Sequence, residues 1–533
     1  MISSGRQGCL LLSFLLVAAP LTLKAELSRA NRHGEERFSE HLRLSPLPHQ
    51  HLLAHFNFTT RVPLAQEDTP YGHHYHIFPR AIGDIVQEYQ AEELHFTLGR
   101  GNWDHQRWGY PPVESVGSGA DLWAYLTPQA SSPPEMQTRW GRLTGAMAGL
   151  FCASLNFMDS TATASPALSF PPLGRVSSRA HLMRSSLAHE SLCTENLTPF
   201  IKQLPCRDQA GISLLLSPHT ILSSTFHVIS IHNKRERPCL SPYLEVTQLV
   251  TTVLKSSGKN GDQGPLDLAS SFGEALPQGS CPIAFDSMVQ VVDSQGAQRD
   301  MSLITPEISE VQKGWDEVTS ILSTDPIFSS PSSPFSSPVS IRVSRRLAGT
   351  GQEGGKFIIT IVNTHLSESV SATYLDVIPW YLRPYLSTLT ATMNGHPSPG
   401  IIQAQRYQTA RDRERPSIIE LILQLPPNSI LTLSLDVDRA MLKYSEHPPD
   451  ANRGFDLPPA ILTLHHRPDQ GSSEEGHGPW RLYTSPLLVS LPTPDFSMPY
   501  NVITLTCTTV ALFFGSMFNL LTRQLVPVPG TKG

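Results

Sequence analysis

Residues 418–437 read IIELILQLPPNSILTLSLDV. Two runs rich in β-branched and leucine side chains flank Pro426, Pro427, Asn428 and Ser429. Short apolar runs bounded by turn residues read as strands, and proline with asparagine supplies the turn chemistry. The same pattern recurs upstream in VSIRVS (339–344), KFIITIVN (356–363) and LSTLTATM (386–393), and downstream in RLYTSPLLVSLP (481–492). Strands at such short intervals predict an antiparallel sandwich over residues 341–491.

Before it lies FSSPSSPFSSPVS, residues 328–340. Repeated Ser-Ser-Pro neither packs a core nor sustains a helix, so this reads as a linker or long loop. Residues 26–327 mix both periodicities. ELHFTLGR (93–100), ISLLL (212–216), FHVISIH (226–232), YLEVTQLVTTVL (243–254) and MVQVVD (288–293) read as strands. Ala81–Glu93 sets Ile82, Ile85, Val86 and Tyr89 on one helical face, and Arg139–Leu155 does the same with Trp140, Leu143, Met147, Leu150 and Phe151. The expected fold class is mainly β with some α: lumenal β-sandwich-type domains and one C-terminal transmembrane helix.

The two ends carry the membrane reading. Arg6 precedes CLLLSFLLVAA, Cys9 to Ala19, with a small residue at Ala25. That pattern predicts a secretory signal peptide over residues 1–25. Residues 502–521 read VITLTCTTVALFFGSMFNLL and, with Thr522, form an uncharged candidate transmembrane helix over 502–522. Twenty helical residues span roughly 30 Å, the hydrocarbon thickness of a bilayer. Arg523 and Lys532 follow, so residues 523–533 read as a cytosolic tail and the bulk as lumenal. Pro492, Pro494 and Pro499 make residues 492–501 a stiff stalk. Within the span, Thr504, Thr508, Ala511, Gly515, Asn519 and Thr522 share a stripe, which suits packing against other spans.

The net charge of −6 and the absence of a basic run exclude a nucleic-acid partner. Charged residues are 16% of the chain, below the usual quarter, and there are 46 prolines; both fit strands and loops. Of seven cysteines, Cys9 falls in the signal and Cys507 in the span. Cys152, Cys193, Cys206, Cys239 and Cys281 remain for the oxidising lumen, and an odd number cannot all pair within one chain. The residues alone leave Cys193 open to an internal bond, with Cys206 as a candidate partner, or to a bond with another chain.

No complete catalytic or metal constellation emerges. Gly349, Gly351 and Gly354 form G-x-G-x-x-G, but a strand follows, so a loop between strands is expected. His73, His74 and His76 lack an acidic or cysteine cluster, so no metal is expected and no cofactor is implied. His189 lies four residues before Cys193, the spacing of a thiol and base on one helix, yet the following TENLTPF lacks helical patterning. Asn57-Phe-Thr and Asn196-Leu-Thr are N-glycosylation sequons.

FCASLNFMDST, CTENLTPF, LPC, DVIPWYLRPY, QLPPNS and above all SPLLVSLPTPDFSMPYNV followed by NLLTR resemble the PIG-T family. The matches run in order from about Phe78 to Arg523. That family is a subunit of the glycosylphosphatidylinositol (GPI) transamidase of the endoplasmic reticulum. The resemblance implies a non-catalytic, single-span lumenal scaffold. Chemistry would belong to a separate caspase-like catalytic subunit, with GPI lipid and precursor proteins as substrates of the complex. It also implies a disulfide from Cys193 to that catalytic subunit, beside other membrane subunits. Cys152, Cys206, Cys239 and Cys281 would then form two internal pairs, in three possible ways. Two rival readings stand beside it: a lumenal thiol hydrolase using Cys193 and His189, and a stand-alone type I membrane binding protein.

Overall fold

The computed structural model describes residues 36–64, 75–111, 117–127, 133–236, 242–255, 266–325, 340–349, 354–447, 453–465, 479–493 and 497–524, with short gaps at 295 and 305–306. The signal-peptide reading, most of the Ser/Pro segment, Cys239, His73 and His74, and most of the tail lie outside the described residues.

A ten-stranded sheet organises the first part of the chain. Its strands are β1 (Arg37–Leu47), β2 (His51–Pro63), β3 (Ala91–Arg100), β4 (Gly119–Leu126), β5 (Thr163–Ala164), β6 (His181–Leu187), β7 (Phe226–Glu236), β8 (Tyr243–Lys255), β9 (Ala284–Val292) and β10 (Gln298–Ser302). They lie in the order β10-β9-β1-β2-β8-β7-β3-β4-β6-β5. Neighbours are antiparallel except β1 and β9, which are parallel. Helices α1 (Arg80–Glu88), α2 (His105–Trp108), α3 (Pro133–Phe151), α4 (Thr194–Lys202), α5 (Pro218–Ser223), α6 (Leu268–Phe272) and α7 (Ile308–Thr324) connect them. Trp140, Leu143 and Phe151 of α3, Leu197 and Phe200 of α4, and Trp315 of α7 share one core with Phe56, Phe58, Leu94 and Phe96 of the sheet.

Three local expectations fail here. The helix expected to run to Glu93 stops at Glu88, because Gln90 takes φ +52° and turns the chain into β3. ISLLL is a short 3-10 helix, Gly211–Leu215, entered through Gly211 at φ +72°. An added Cβ there would lie 2.4 Å from Glu40, so glycine is required by both space and conformation. TENLTPF is helical as α4.

The second part is a sandwich, as the spacing of its strands predicted. Its strands are β11 (Ile341–Ala348), β12 (Gly354–Asn363), β13 (Val370–Ile378), β14 (Leu382–Pro384), β15 (Thr390–Met393), β16 (His396–Pro397), β17 (Ile402–Gln408), β18 (Ser417–Leu425), β19 (Ser429–Arg439), β20 (Phe455–Leu457), β21 (Ile461–Leu464), β22 (Trp480–Tyr483) and β23 (Leu487–Val489). One sheet runs β11-β12-β19-β15-β16 and the other β17-β18-β13-β21-β22. Leu386–Thr388, part of an expected strand, is a 3-10 turn. The glycine triplet does join two strands, since β11 pairs antiparallel with β12 from Ala348 and Lys356 onward.

The two halves of the opening stretch differ because their sheets face different surroundings. β19 alternates buried and open positions, with Leu431, Leu433, Leu435 and Val437 inside the sandwich. β18 is apolar almost throughout because both of its faces are covered. Ile419, Leu421, Leu423 and Leu425 point into the sandwich. Ile418 packs outward, with Leu375, Val377 and Ile461, onto Trp123, Phe170 and Leu182 of the first part.

Glu420 sits on that outward face and is fully buried. Its carboxylate accepts from the amides of Ala167 (2.9 Å), Leu168 (3.0 Å) and Ser169 (3.1 Å) and from Ser169 Oγ (2.9 Å). The Ser169 carbonyl in turn accepts from Thr463 Oγ1 and Arg481 Nε. Glu93 takes the amides of Leu173 and Gly174 and a 2.7 Å bond from His95 Nε2. Burial opposes ionisation of Glu93, but these donors hold its pKa below the usual range. His95 also bonds His232 Nδ1 at 2.7 Å, and burial next to His95 keeps the His232 pKa well below the ordinary value. The loop 165–177 is thus fixed to both halves of the molecule by buried carboxylates.

Candidate tether site

Helix α3 ends where Cys152 adopts φ +51°, and the Ala153 amide closes back on the Ala148 carbonyl. That ending leaves the carbonyls of Phe151 and Cys152 facing α4. Cys193 is the N-cap of α4 with extended backbone. Asn196, 1% exposed, joins the two helices. Its Nδ2 donates to the Phe151 and Cys152 carbonyls, both at 2.9 Å. Its Oδ1 accepts from the Cys193 amide and from Cys193 Sγ, both at 3.0 Å. Both donors and both acceptor positions of the carboxamide are therefore used.

This reciprocal cap explains why TENLTPF is helical despite Pro199. Leu197, Phe200 and Ile201 form the buried face, while the carbonyl that Pro199 cannot serve belongs to exposed Glu195. A glycan on Asn196 Nδ2 would replace one of its two N–H donors and so cost one of these carbonyl bonds. Asn57 is different. It is half-buried in β2 opposite His41 and Leu249, on the face away from Phe56 and Phe58, and accepts from Thr59 Oγ1 at 3.0 Å.

Beyond α4, Cys206 is bonded to Cys281, with Cα atoms 6.0 Å apart and a sequence separation of 75. An internal Cys193–Cys206 bond is thereby overturned. The Cys281 amide donates to buried Glu40, which also takes Ser287 Oγ and the Ile212 amide. Burial raises the Glu40 pKa against the pull of those three donors. The helix carrying Cys193 is held at its start by Asn196 and beyond its end by the disulfide. Cys152 and Cys193 both carry free thiols, exposed and half-buried respectively. Cys152 is therefore not in an internal pair in this structure.

His189 does not serve Cys193. Its Nδ1 lies 3.2 Å from Arg453 Nη2 and 3.4 Å from Asp456 Oδ2, across the seam between the two parts of the molecule. The Cys193 thiol points to a carboxamide oxygen instead of a base. Among the described residues, no group of three or more His, Cys, Asp or Glu is arranged to hold a metal ion.

Helix α8 (Ser497–Thr522) contains the one helix among the described residues long and apolar enough to cross a membrane, Tyr500–Thr522. None of it is buried among the described residues. Thr504, Thr508 and Thr522 donate to carbonyls four residues earlier, each at 2.8 Å, so their hydroxyls are satisfied within the helix. The Asn519 carboxamide makes no hydrogen bond among the described residues, and no atom lies within 4 Å of a Cβ built on Gly515.

The sequence reading singled out Cys193 but not its holder. The signal was present as Cys-x-x-Asn before an apolar helical face, a variant of the usual capping box. Replacing Asn196 with leucine is expected to destabilise the chain by about 2–3 kcal/mol, through loss of the cap and of the donors to two carbonyls. A circular-dichroism melt of the purified chain checks it; an unchanged melting temperature would remove Asn196 from this role.

A family profile described as Gpi16 subunit, GPI transamidase component, matches residues 22–271 and 263–532. The GPI-anchor transamidase component PIGT of Homo sapiens is 35% identical over 540 residues, covering 93% of this chain and 92% of that protein. The GPI transamidase component GPI16 of Saccharomyces cerevisiae is 32% identical over 555 residues, covering 92% and 89%. Among solved structures, the yeast delta-COP-I mu-homology domain overlaps 80% of the chain at 6% identity and a TM-score of 0.15, too low to carry an argument. With profile matches along nearly its whole length and relatives above 30% identity over nine-tenths of it, the chain belongs to the Gpi16 family of GPI transamidase components.

Proposed function

We propose that the chain is a non-catalytic scaffold subunit of the GPI transamidase, joined through Cys193 to the caspase-like catalytic subunit. Its bulk lies in the lumen of the endoplasmic reticulum and its span packs against other membrane subunits. The complex attaches GPI lipid to the C-termini of precursor proteins; this subunit holds the catalytic one in place. The observation that carries the reading is the Cys193 thiol. It is half-exposed and rigidly mounted, and it is left unbonded while Cys206 and Cys281 pair. A rigid mount suits a tether, because a bond to it fixes orientation as well as proximity. The thiol hydrolase reading loses support, since His189 is engaged with Arg453 and Asp456.

The span narrows to two residues. With the threonines bonded to their own helix, Asn519 and Gly515 remain as the polar and close-packing members of the stripe. Interhelical contacts of this kind contribute about 0.6 kcal/mol each on average. Asn519→Leu with Gly515→Leu is expected to lower recovery of the other subunits several-fold from detergent extracts. Thr508→Leu is expected to leave it unchanged. Equal recovery for the double variant and the wild type removes the packing role.

A further inference from the structure

Beside Cys193 the two parts of the molecule leave a cleft of about 460 Å3. Its floor is Trp380, Tyr381 and Phe455 from the sandwich, and Phe157, 73% exposed, stands at its lip. Arg453, His189 and Asp456 close one side by bonding to one another. The cleft is therefore apolar at its base, with its charged groups already partnered.

Its position is the second observation. Glu190 lines the cleft and lies three residues from Cys193. Ser154 lines it as well and lies two residues from Cys152, whose carbonyl is bonded to the same Asn196 that holds the Cys193 thiol. The Ser154 amide donates to Glu190 at 2.9 Å, so the segments next to Cys152 and Cys193 meet at the cleft. Three extended residues reach at most about 10 Å, so a chain bonded to Cys193 has its neighbouring residues at the mouth of the cleft. Such a segment has an effective local concentration in the millimolar range, enough for a modest apolar site to stay filled. Aromatic and proline walls, including Pro379, Pro416 and Pro458, lose little side-chain entropy on contact.

We propose that this cleft docks an extended segment of the chain disulfide-bonded at Cys193, within about five residues of that chain's own cysteine, and that the segment places a bulky apolar side chain on the Trp380–Tyr381–Phe455 floor. The inference rests on the tether reading above. Docking and disulfide reinforce each other: the apolar contact brings the two thiols together, and the disulfide then prevents escape.

The test uses the full chain in microsomes with a photo-reactive benzoylphenylalanine at Phe157. Crosslinking to the disulfide-linked chain, mapped by mass spectrometry to a peptide close to its bonded cysteine, is expected. A filling variant, Ala188→Trp, is expected to lower the yield of the linked species at least fivefold, with Thr161→Trp as a second filler in case the first misfolds. A crosslink to precursor protein, to another subunit or to lipid overturns the proposal, as does undiminished linkage in both fillers. If the wild type forms no linked species, the tether reading fails and this inference goes with it. If linkage is intact and only the crosslink and filler results fail, the tether stands and the cleft has another occupant.

Discussion

Glu420→Ala is expected to destabilise the chain by about 4 kcal/mol, the largest effect of any single substitution considered, with a melting temperature lower by roughly ten degrees. The buried carboxylate accepts four donors from residues 167–169, and alanine leaves three backbone amides of that loop without an acceptor. Each buried unsatisfied donor costs about 1–3 kcal/mol, and water reaching the seam would recover part of that. The loop then loses its hold on the sandwich while Glu93 still grips it at Leu173 and Gly174. The expected result is a melt that separates into two transitions, and protease cleavage within residues 165–177. Glu420→Gln keeps an acceptor and is expected to cost less than half as much. A single, unshifted transition for Glu420→Ala would show that the apolar seam of Trp123, Phe170, Ile418 and Ile461 holds the halves together without it.

Changing Cys206 and Cys281 together to serine is expected to destabilise the chain by a similar amount, about 4 kcal/mol by loop-closure entropy for a bond spanning 75 residues. The consequence for function is a contrast. The double variant lowers the melting temperature and leaves any bond made by Cys193 in place. Cys193→Ser is expected to do the reverse, because a serine hydroxyl still donates to Asn196 Oδ1 and keeps the N-cap. A chain in which Cys206→Ser with Cys281→Ser leaves the melt unchanged would have no use for this disulfide in stability.

Much of this architecture is legible in the sequence, because period-two runs and turn residues report local structure directly. The sandwich strands β12, β18 and β19 follow from short apolar runs bounded by turn residues, and the apolar C-terminal helix from the length of its uncharged run. What fails does so where distant partners decide. TENLTPF hides its helix because Pro199 masks the pattern and because its cap acts through carbonyls of α3, more than forty residues earlier. ISLLL has strand composition but enters at Gly211, whose backbone is dictated by Glu40. Glu420 stood as one acidic residue in an apolar run, and its role depends on amides about 250 residues away. The same limit applied to cysteine. Counting gave an odd number, but only the fold shows which partner Cys206 takes and that His189 is turned away from Cys193.

The most direct test of the scaffold account is a gel of microsomes carrying the tagged full chain, with and without reductant, beside Cys193→Ser and the Cys206→Ser, Cys281→Ser double variant. The account expects a larger species without reductant that contains the catalytic subunit, persists in the double variant and disappears in Cys193→Ser. Migration of the wild type as a single chain in both lanes would contradict it.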